Sequence, residues 1–346
     1  MVARSTCQPR RGFCFFMSAK RPQSGLLAGR APTVSADAYH WRMRYQRIDL
    51  NLLVALDVLL AERNVTRAAE RMHITQSAMS GVLARLRDHF GDQLLVPVGR
   101  TMQLTPRAES LVEPVRDIVL RVDSALGTQP DFDPATAQRH FVVIASDYVS
   151  RVMLAEVVRR VAAMAPGLTF DIRPTSEIML GELEQGRADF LITPAHLTAA
   201  DHPQEVLFDD TYKVLACLQH PDLAGGVTVE QYRSLGHVVY QNERGINPWF
   251  EQWYANQYGS TRRVEVITHS FTLIPRFIVG TRRITTIQTR LANQFAQSLA
   301  VQIFDPPMET PRLTEVLQWH RLRETDAAVQ WVREQIVAGS HAMPPI

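Results

Sequence analysis

A chain of 346 residues is longer than one compact domain usually needs, so two folded units with separate cores are expected. With 46% hydrophobic and 21% charged residues, the composition is that of an ordinary globular protein and excludes a disordered or fibrous one. The net charge of +2 hides an uneven distribution, because residues 1–42 hold Arg4, Arg10, Arg11, Lys20, Arg21, Arg30 and Arg42 against Asp37 alone.

No apolar run reaches the roughly 20 residues of a membrane-spanning helix; the longest, Leu52 to Ala61, carries Asp57 in its middle. Cys7, Cys14 and Cys217 match neither a zinc site nor a disulfide framework, which fits a reducing, cytoplasmic setting with no metal and no cofactor. Cys217 sits in an apolar run and is expected in a buried strand. Residues 1–42 show no sustained period and are expected to be a disordered basic extension: either Met43 is the natural start, or the segment is a tail that adds weak phosphate attraction. The apolar patch Phe13 to Met17 is too short for an export signal.

From Asp49 onward the pattern becomes helical. Leu50, Leu53, Leu56, Leu59 and Leu60 recur at helical spacing behind Asp49 as a cap. Asn64 caps a second short helix to Met72, and Thr75 caps a third to His89, which Gly91 ends. In the third helix Met79, Val82, Leu83, Leu86 and Phe90 share one face, which leaves Gln76, Ser77, Ser80, Arg87 and Asp88 elsewhere. Gln93 to Val98 and Thr101 to Leu104 read as a hairpin wing. Thr105 and Pro106 then open a long helix to Leu126, where Leu111, Val115, Ile118 and Val122 fall at alternating spacings of four and three, the seam of a two-helix coiled coil.

Beyond Pro134, strands and helices alternate, and the pattern predicts a mostly parallel sheet with helices on its faces. Strands are expected at Phe141 to Ala145, Thr169 to Arg173, Asp189 to Thr193, Lys213 to Leu218, His237 to Tyr240, Val264 to Ile267, Ile284 to Ile287, Val301 to Phe304 and Leu313 to Trp319. Helices are expected at Val149 to Met164, Ile178 to Glu184, Phe271 to Val279, Leu291 to Leu299 and Ala327 to Ala338. About 200 residues of this kind can form two subdomains with a cleft between them.

Three closely spaced helices and a hairpin suit double-stranded DNA. The first turn of a recognition helix offers its side chains to base edges in the major groove, and glutamine can pair with adenine. Residues 63–107 carry Arg63, Arg67, Arg71, Arg85, Arg87, Arg100 and Arg107 against Glu70, Asp88 and Asp92, an excess that favours phosphate contact. A solvated helical face accounts for the same charges.

The run AERNVTRAAERMHITQSAMSGVLARLRDHFGDQLL, followed by a Thr-Pro that opens a long helix, resembles the LysR family of transcriptional regulators. DLNLLVALDVLLAERNVTRAA and the wing VGRTMQLTPRA resemble its branch of nodulation and aromatic-catabolism regulators. The likeness implies an α/β protein with an N-terminal all-α winged helix-turn-helix and a C-terminal two-subdomain, periplasmic-binding-protein-like effector domain. It further implies a homodimer or homotetramer paired through Leu111, Val115, Ile118 and Val122. The expected bounds are 43–104 for the DNA-binding domain, 105–127 for the dimerising helix and 139–338 for the effector domain. Carried over by position, Gln76, Ser77, Ser80, Gly81 and Arg100 are the DNA contacts. Ser77 stands where most relatives have proline, Gly81 where many have a polar residue, and Pro97 where several have arginine.

Ligands of such domains sit at strand ends beside a subdomain crevice. The candidates are Ser146, Asp147, Tyr148, Thr175, Ser176 and Glu177 from one subdomain, and His269, Phe271 and Gln288 from the other. The resemblance prefers Ser176 and implies a small aromatic or carboxylate-bearing effector. An enzyme is the first rival reading, but no Gly-rich phosphate loop, metal-spaced His and Glu, or nucleophile elbow occurs. A soluble small-molecule-binding protein without DNA binding is the second. Salt-dependent retention on DNA separates both from a regulator.

Overall fold

Three side-chain caps set the N-terminal helices. Asp49 accepts the Leu52 amide at 2.7 Å and opens α1 (Leu50–Glu62), and Asn64 accepts the Thr66 and Arg67 amides and opens α2 (Val65–Arg71). Thr75 accepts the Ala78 amide at 3.2 Å and opens α3 (Gln76–Phe90), which ends at a left-handed Gly91. Such caps satisfy otherwise orphaned amides, at about 1 kcal/mol each. The computed structural model describes residues 49–99, 101–127, 132–241, 249–259 and 262–346. The expected basic extension 1–42, its Met43 boundary and Arg100 lie outside the described residues.

Leu56 and Leu59 of α1, Ala68 of α2, and Met79 and Leu86 of α3 are buried, so the three helices share one small core. Strands β1 (Leu95–Val98) and β2 (Thr101–Leu104) pair antiparallel, with Leu95 opposite Leu104. The first strand was expected from Gln93 but begins two residues later. Asp92 accepts the Leu94 amide and the Thr105 hydroxyl, and Leu94 has a φ of 57°, so the chain turns before it extends. The Thr105 hydroxyl first, and then the Leu94 amide, hold the Asp92 carboxyl below its usual range. Arg87, expected on the free face of α3, instead donates to the carbonyls of Gln93 at 2.8 Å and Leu95 at 2.9 Å and fastens the wing to the helix.

Helix α4 (Pro106–Gly127) packs along α1. Arg116 of α4 and Asp57 of α1 form a buried ion pair at 2.8 Å. The expected coiled-coil seam is divided: Val115 is 4% exposed within the single chain, Leu111 and Val122 are half-buried, and Ile118 is 46% exposed. Val119 and Leu120 are also buried, so the apolar surface of α4 is wider than one seam and its Val115 side is used against its own chain.

The C-terminal region contains two five-stranded sheets. The first is built from β3 (Arg139–Ile144), β4 (Leu168–Arg173), β5 (Phe190–Pro194), β6 (Gln204–Asp210) and β12 (Leu313–Trp319), in the order β4-β3-β5-β12-β6. It is covered by α5 (Asp147–Val149), a π-helical turn (Ser150–Leu154), α6 (Ala155–Met164), α7 (Met179–Glu184) and, at the chain's end, the helix Ala327–His341. The second contains β7 (Tyr212–Cys217), β8 (His237–Tyr240), β9 (Val264–Thr268), β10 (Ile284–Gln288) and β11 (Val301–Phe304), in the order β11-β7-β10-β8-β9. Helices α8 (Val229–Ser234), α9 (Trp249–Tyr258) and α10 (Thr289–Ala296) belong with it, and the helix at the chain's end is α11.

Both sheets are mixed, which corrects the mostly parallel expectation. In the first, β3 pairs parallel with β4 and β5, but β12 pairs antiparallel with β5 and β6. In the second, β8 pairs parallel with β9 and β10, whereas β7 is antiparallel to β10 and β11. The strands that cross between sheets run against the βαβ units, and β6, one of them, was absent from the sequence reading. The expected helix Phe271 to Val279 is a 3-10 segment, Phe271–Phe277, with Pro275 inside it. Cys217 lies buried in β7 as expected, and its Sγ accepts the Gly280 amide. No helix among the described residues is long and apolar enough to cross a membrane.

Replacing Asp57 by alanine removes the carboxylate that faces buried Arg116, and a broken buried pair costs about 3 to 5 kcal/mol. The expected outcome is an early thermal transition in calorimetry of the variant, with Leu56 and Val115 losing amide protection together.

Candidate functional site

Two surfaces merit description. The first is the N-terminal turn of α3. Met79, Leu83 and Leu86 anchor the helix in the core, so Gln76, Ser77, Ser80 and Gly81 are exposed on the other side. The Ser77 hydroxyl lies 3.0 Å from that of Thr75, so the cap residue also orients it. Nothing lies within 4 Å of the position that a Cβ on Gly81 would take, so packing does not require glycine there. The four residues form one uncovered polar patch at a helix N-terminus, where amides and the helix dipole favour a negative group.

The second is a cleft of about 420 Å³ between the two sheets, a size suited to a small ligand. Strands β3, β4 and β5 run parallel, and the segments that follow their C-terminal ends all reach it: Ser146 and Tyr148, then Thr175, Ser176 and Glu177, then Pro194, His196 and Leu197. Phe271 and Gln288 face them from the second subdomain. Tyr240 and Phe271 stack at 4.0 Å between centroids with nearly parallel planes, and Tyr148 meets Phe271 edge-on at 6.4 Å. Seven of the nine expected residues therefore line one cleft.

Asp147 and His269 do not line it. Asp147 Oδ2 accepts the Ser270 hydroxyl at 2.7 Å and the Thr272 amide and hydroxyl at 3.0 Å, so the side chain latches α5 of the first subdomain to the 3-10 segment of the second. The His269 ring is held by the Gln241 carbonyl, with which Nδ1 makes a 2.7 Å hydrogen bond, on an exposed edge.

The cleft floor was missed by the sequence reading. It includes Thr193, Tyr212, Leu313 and Glu315. The rule that chose Ser146 and Thr175 also applies to the end of β5, and a lone glutamate inside the apolar strand LTEVLQW was a visible signal. Side-chain oxygens of Thr193 (Oγ1), Gln288 (Oε1) and Glu315 (Oε2) are buried there without a hydrogen-bond partner among the described residues. Each such atom costs about 1 to 3 kcal/mol unless a ligand or water meets it. Beneath them the Tyr148 hydroxyl donates to Asp210 at 2.5 Å, and the Thr211 and Arg290 amides donate to the same carboxyl. Burial raises the Asp210 carboxyl above its ordinary range, and burial together with Asp210 raises the Tyr148 hydroxyl. Burial first, and then the nearby Asp210, push Glu315 up to about 8. Among the described residues, no group of three or more His, Cys, Asp or Glu side chains is placed to hold a metal ion.

A helix-turn-helix with a wing, joined by a long helix to a cleft between two α/β subdomains, defines a ligand-responsive DNA-binding protein. Residues 50–109 match the model of the bacterial regulatory helix-turn-helix proteins of the LysR family, and residues 134–340 match the LysR substrate-binding domain. The chain belongs to the LysR family of transcriptional regulators, a family of regulators and not of enzymes. It is 40% identical over 309 residues to nodulation protein D of Bradyrhizobium sp. (strain ANU 289), covering 88% of this chain and 91% of that one. It is 41% identical over 292 residues to nodulation protein D 3 of Rhizobium meliloti (strain 1021), covering 84% and 93%. Among solved structures it is similar to a "probable transcriptional regulator", PA0477 of Pseudomonas aeruginosa, with a TM-score of 0.58 and 29% identity over 85% of this chain and 97% of that one.

Because the Asp147 latch joins the subdomains through hydrogen bonds to a carboxylate, Asp147→Ala should cost about 1.5 to 3 kcal/mol. Amide exchange is expected to rise at Ser270 to Thr272 while α3 stays protected; unchanged exchange at the 3-10 segment would show that the latch does not hold the subdomains.

Proposed function

We propose that this LysR-type regulator binds double-stranded DNA through Gln76, Ser77, Ser80, Gly81 and Arg100 and is controlled by a small aromatic or carboxylate-bearing effector in the cleft. The observation that carries the reading is the pairing, on one chain, of a bare polar helix N-terminus with an aromatic-lined cleft whose floor has polar atoms without protein partners. The DNA-binding, dimerising and effector parts are assigned to residues 43–104, 105–127 and 139–338, and the protein is placed in the cytoplasm. Ser146, Tyr148, Thr175, Ser176 and Glu177 form one side of the effector site, and Phe271 and Gln288 are set against it.

The protein works as a homodimer or homotetramer through α4. Ile118, exposed between half-buried Leu111 and Val122, is the centre of that contact, while Val115 supports the helix from inside its own chain. Ile118→Asp should therefore give a folded monomer in sedimentation, and Val115→Asp a destabilised chain. A fully dimeric Ile118→Asp variant at micromolar concentration would place the interface elsewhere.

For DNA recognition, genome fragments captured by the wild-type protein supply the operator for titration. Gln76→Ala and Ser80→Ala are expected to lose about 1 to 3 kcal/mol of operator binding with no change on random DNA, as base contacts do. Arg100→Ala should weaken both and flatten the salt slope by about one unit, as a phosphate contact does. Wild-type discrimination in Gln76→Ala and Ser80→Ala, and wild-type affinity and salt slope in Arg100→Ala, would remove these residues from the interface.

A further inference from the structure

We propose that Glu315 is an uncharged hydrogen-bond donor on the cleft floor that selects neutral aromatic ligands bearing a carbonyl or amide and rejects carboxylates. The inference rests on the cleft being the effector site and narrows the chemistry of what enters it.

Glu315 is 3% exposed, Gln288 5% and Thr193 1%, yet all three line the cleft, and each has an oxygen with no hydrogen-bond partner among the described residues. They come from three strands, β12, β10 and β5, so the two sheets supply one polar floor to an otherwise aromatic and aliphatic cleft. The Gln288 amide oxygen can only accept a hydrogen bond. A protonated Glu315 can donate one, and the Thr193 hydroxyl can do either. A ligand group that offers both an acceptor and a donor, such as a carboxamide, can meet that set.

Charge decides the class. The lining residues include two carboxyl groups, Glu177 and Glu315, and no lysine or arginine. His196 also lines the cleft, and burial lowers it below the ordinary histidine value. The titratable and charged groups that act on Glu315 and its neighbours from the packed elements are Asp210 at the end of β6, Tyr148 of α5, Tyr212 of β7 and Arg290 of α10. Arg290 does not line the cleft: its guanidinium lies over the Phe208 ring and donates to the Pro344 carbonyl. A carboxylate brought to the floor would lose its hydration beside Asp210 and find no lining cation to replace it.

Burial and Asp210 set Glu315 at about 8, so the site is in its donor form at neutral pH and loses the proton above that. The unfolded chain ionises the same group near 4.3. This raised value means that the folded state's advantage at Glu315 is complete below pH 4.3 and is lost as pH rises towards 8.

The test uses full-length wild type and Glu315→Gln, with ring-matched probes that do not titrate between pH 6 and 9: 2-naphthamide against 2-naphthoate, and benzamide against benzoate. Calorimetric titration is expected to show the wild type binding the amides at least tenfold more tightly than the carboxylates at pH 6.5. Amide affinity should fall about tenfold between pH 7 and pH 9 in the wild type, as one proton with a value near 8 requires, and stay level in Glu315→Gln. Without any probe, the melting temperature of Glu315→Gln should gain on that of the wild type as pH rises from 5 to 8. Carboxylates that bind as well as the amides would overturn the selection while leaving the cleft as the effector site. Identical pH profiles of melting in the two proteins would overturn the neutral state of Glu315. Failure of every probe to bind, with the melting difference present, would sink the effector reading of the cleft and this inference with it.

Discussion

Two buried carboxyl groups, Asp210 and Glu315, sit where the sheets of the C-terminal region exchange strands, and the rest of that region is arranged around them. Asp210 ends β6 of the first sheet, Thr211 is the single residue between, and Tyr212 begins β7 of the second. The Thr289 amide donates to the Thr211 carbonyl at 2.9 Å, and the two threonine hydroxyls lie 2.7 Å apart, so β10 closes onto the same point. Removing carboxyl groups from water is costly unless they are protonated or met by donors. Asp210 is met by Tyr148, Thr211 and Arg290, whereas Glu315, which lines the cleft, keeps one buried oxygen without a hydrogen-bond partner among the described residues. The crossover is thus stiff on one side and unsatisfied on the other. An unsatisfied polar site of this kind is where sequence patterning and function part company.

The N-terminal region resolves a different conflict, that of presenting a polar helix face without losing the helix. Glycine at position 81 weakens α3 by about 1 kcal/mol relative to alanine. Against this stand the Thr75 cap, the left-handed Gly91 stop, and three fully used core positions at Met79, Leu83 and Leu86. Arg87 adds two hydrogen bonds to the wing, and Asp92 joins the wing's start to Thr105 at the head of α4. Helix α3, the wing and the long helix are joined by these contacts, and Gln76, Ser80 and Gly81 of α3 stay exposed beside them.

Much of this was legible from residue patterns, and the exceptions have physical reasons. Caps and stops at Asp49, Asn64, Thr75 and Gly91 were readable because they are local, side chain to nearby amide. The parallel strand ends were readable because the βαβ alternation is a long pattern. The antiparallel partners β6 and β12 were not assigned to the first sheet, since pairing between residues about a hundred positions apart leaves no periodic mark. Asp147 was assigned to the ligand because it follows a strand, yet its hydrogen bonds reach residues 270 and 272, a contact that only folding reveals. Val115 shows the limit of a heptad: the spacing identifies an apolar stripe but not which surface covers it, and here Asp57 and Arg116 bind that side of α4 to α1.

The same connectivity gives the cleft a direct mechanical relation to α4. Strand β12 carries Leu313 and Glu315 at the cleft and ends at Trp319; two residues later Arg321 pairs with Asp117 of α4 at 3.0 Å. In the same subdomain, α7 supplies Met179 and Leu180 to the cleft and is followed by Gly186, whose φ of 60° and close approach to Leu120 of α4 leave no room for a Cβ. Two elements that line the site therefore also touch the helix that leads to the DNA-binding head. A ligand moves such a system only by as much as it prefers one arrangement over another, so tight binding alone does nothing. A full reversal of a hundredfold bias needs about 5.5 kcal/mol of preference. Satisfying three orphaned polar atoms at about 1 to 3 kcal/mol each is of that order, provided the ligand reaches all three only when the two sheets stand at the right separation. The polar floor is drawn from both sheets, so a ligand that met all three atoms would bridge the two sheets.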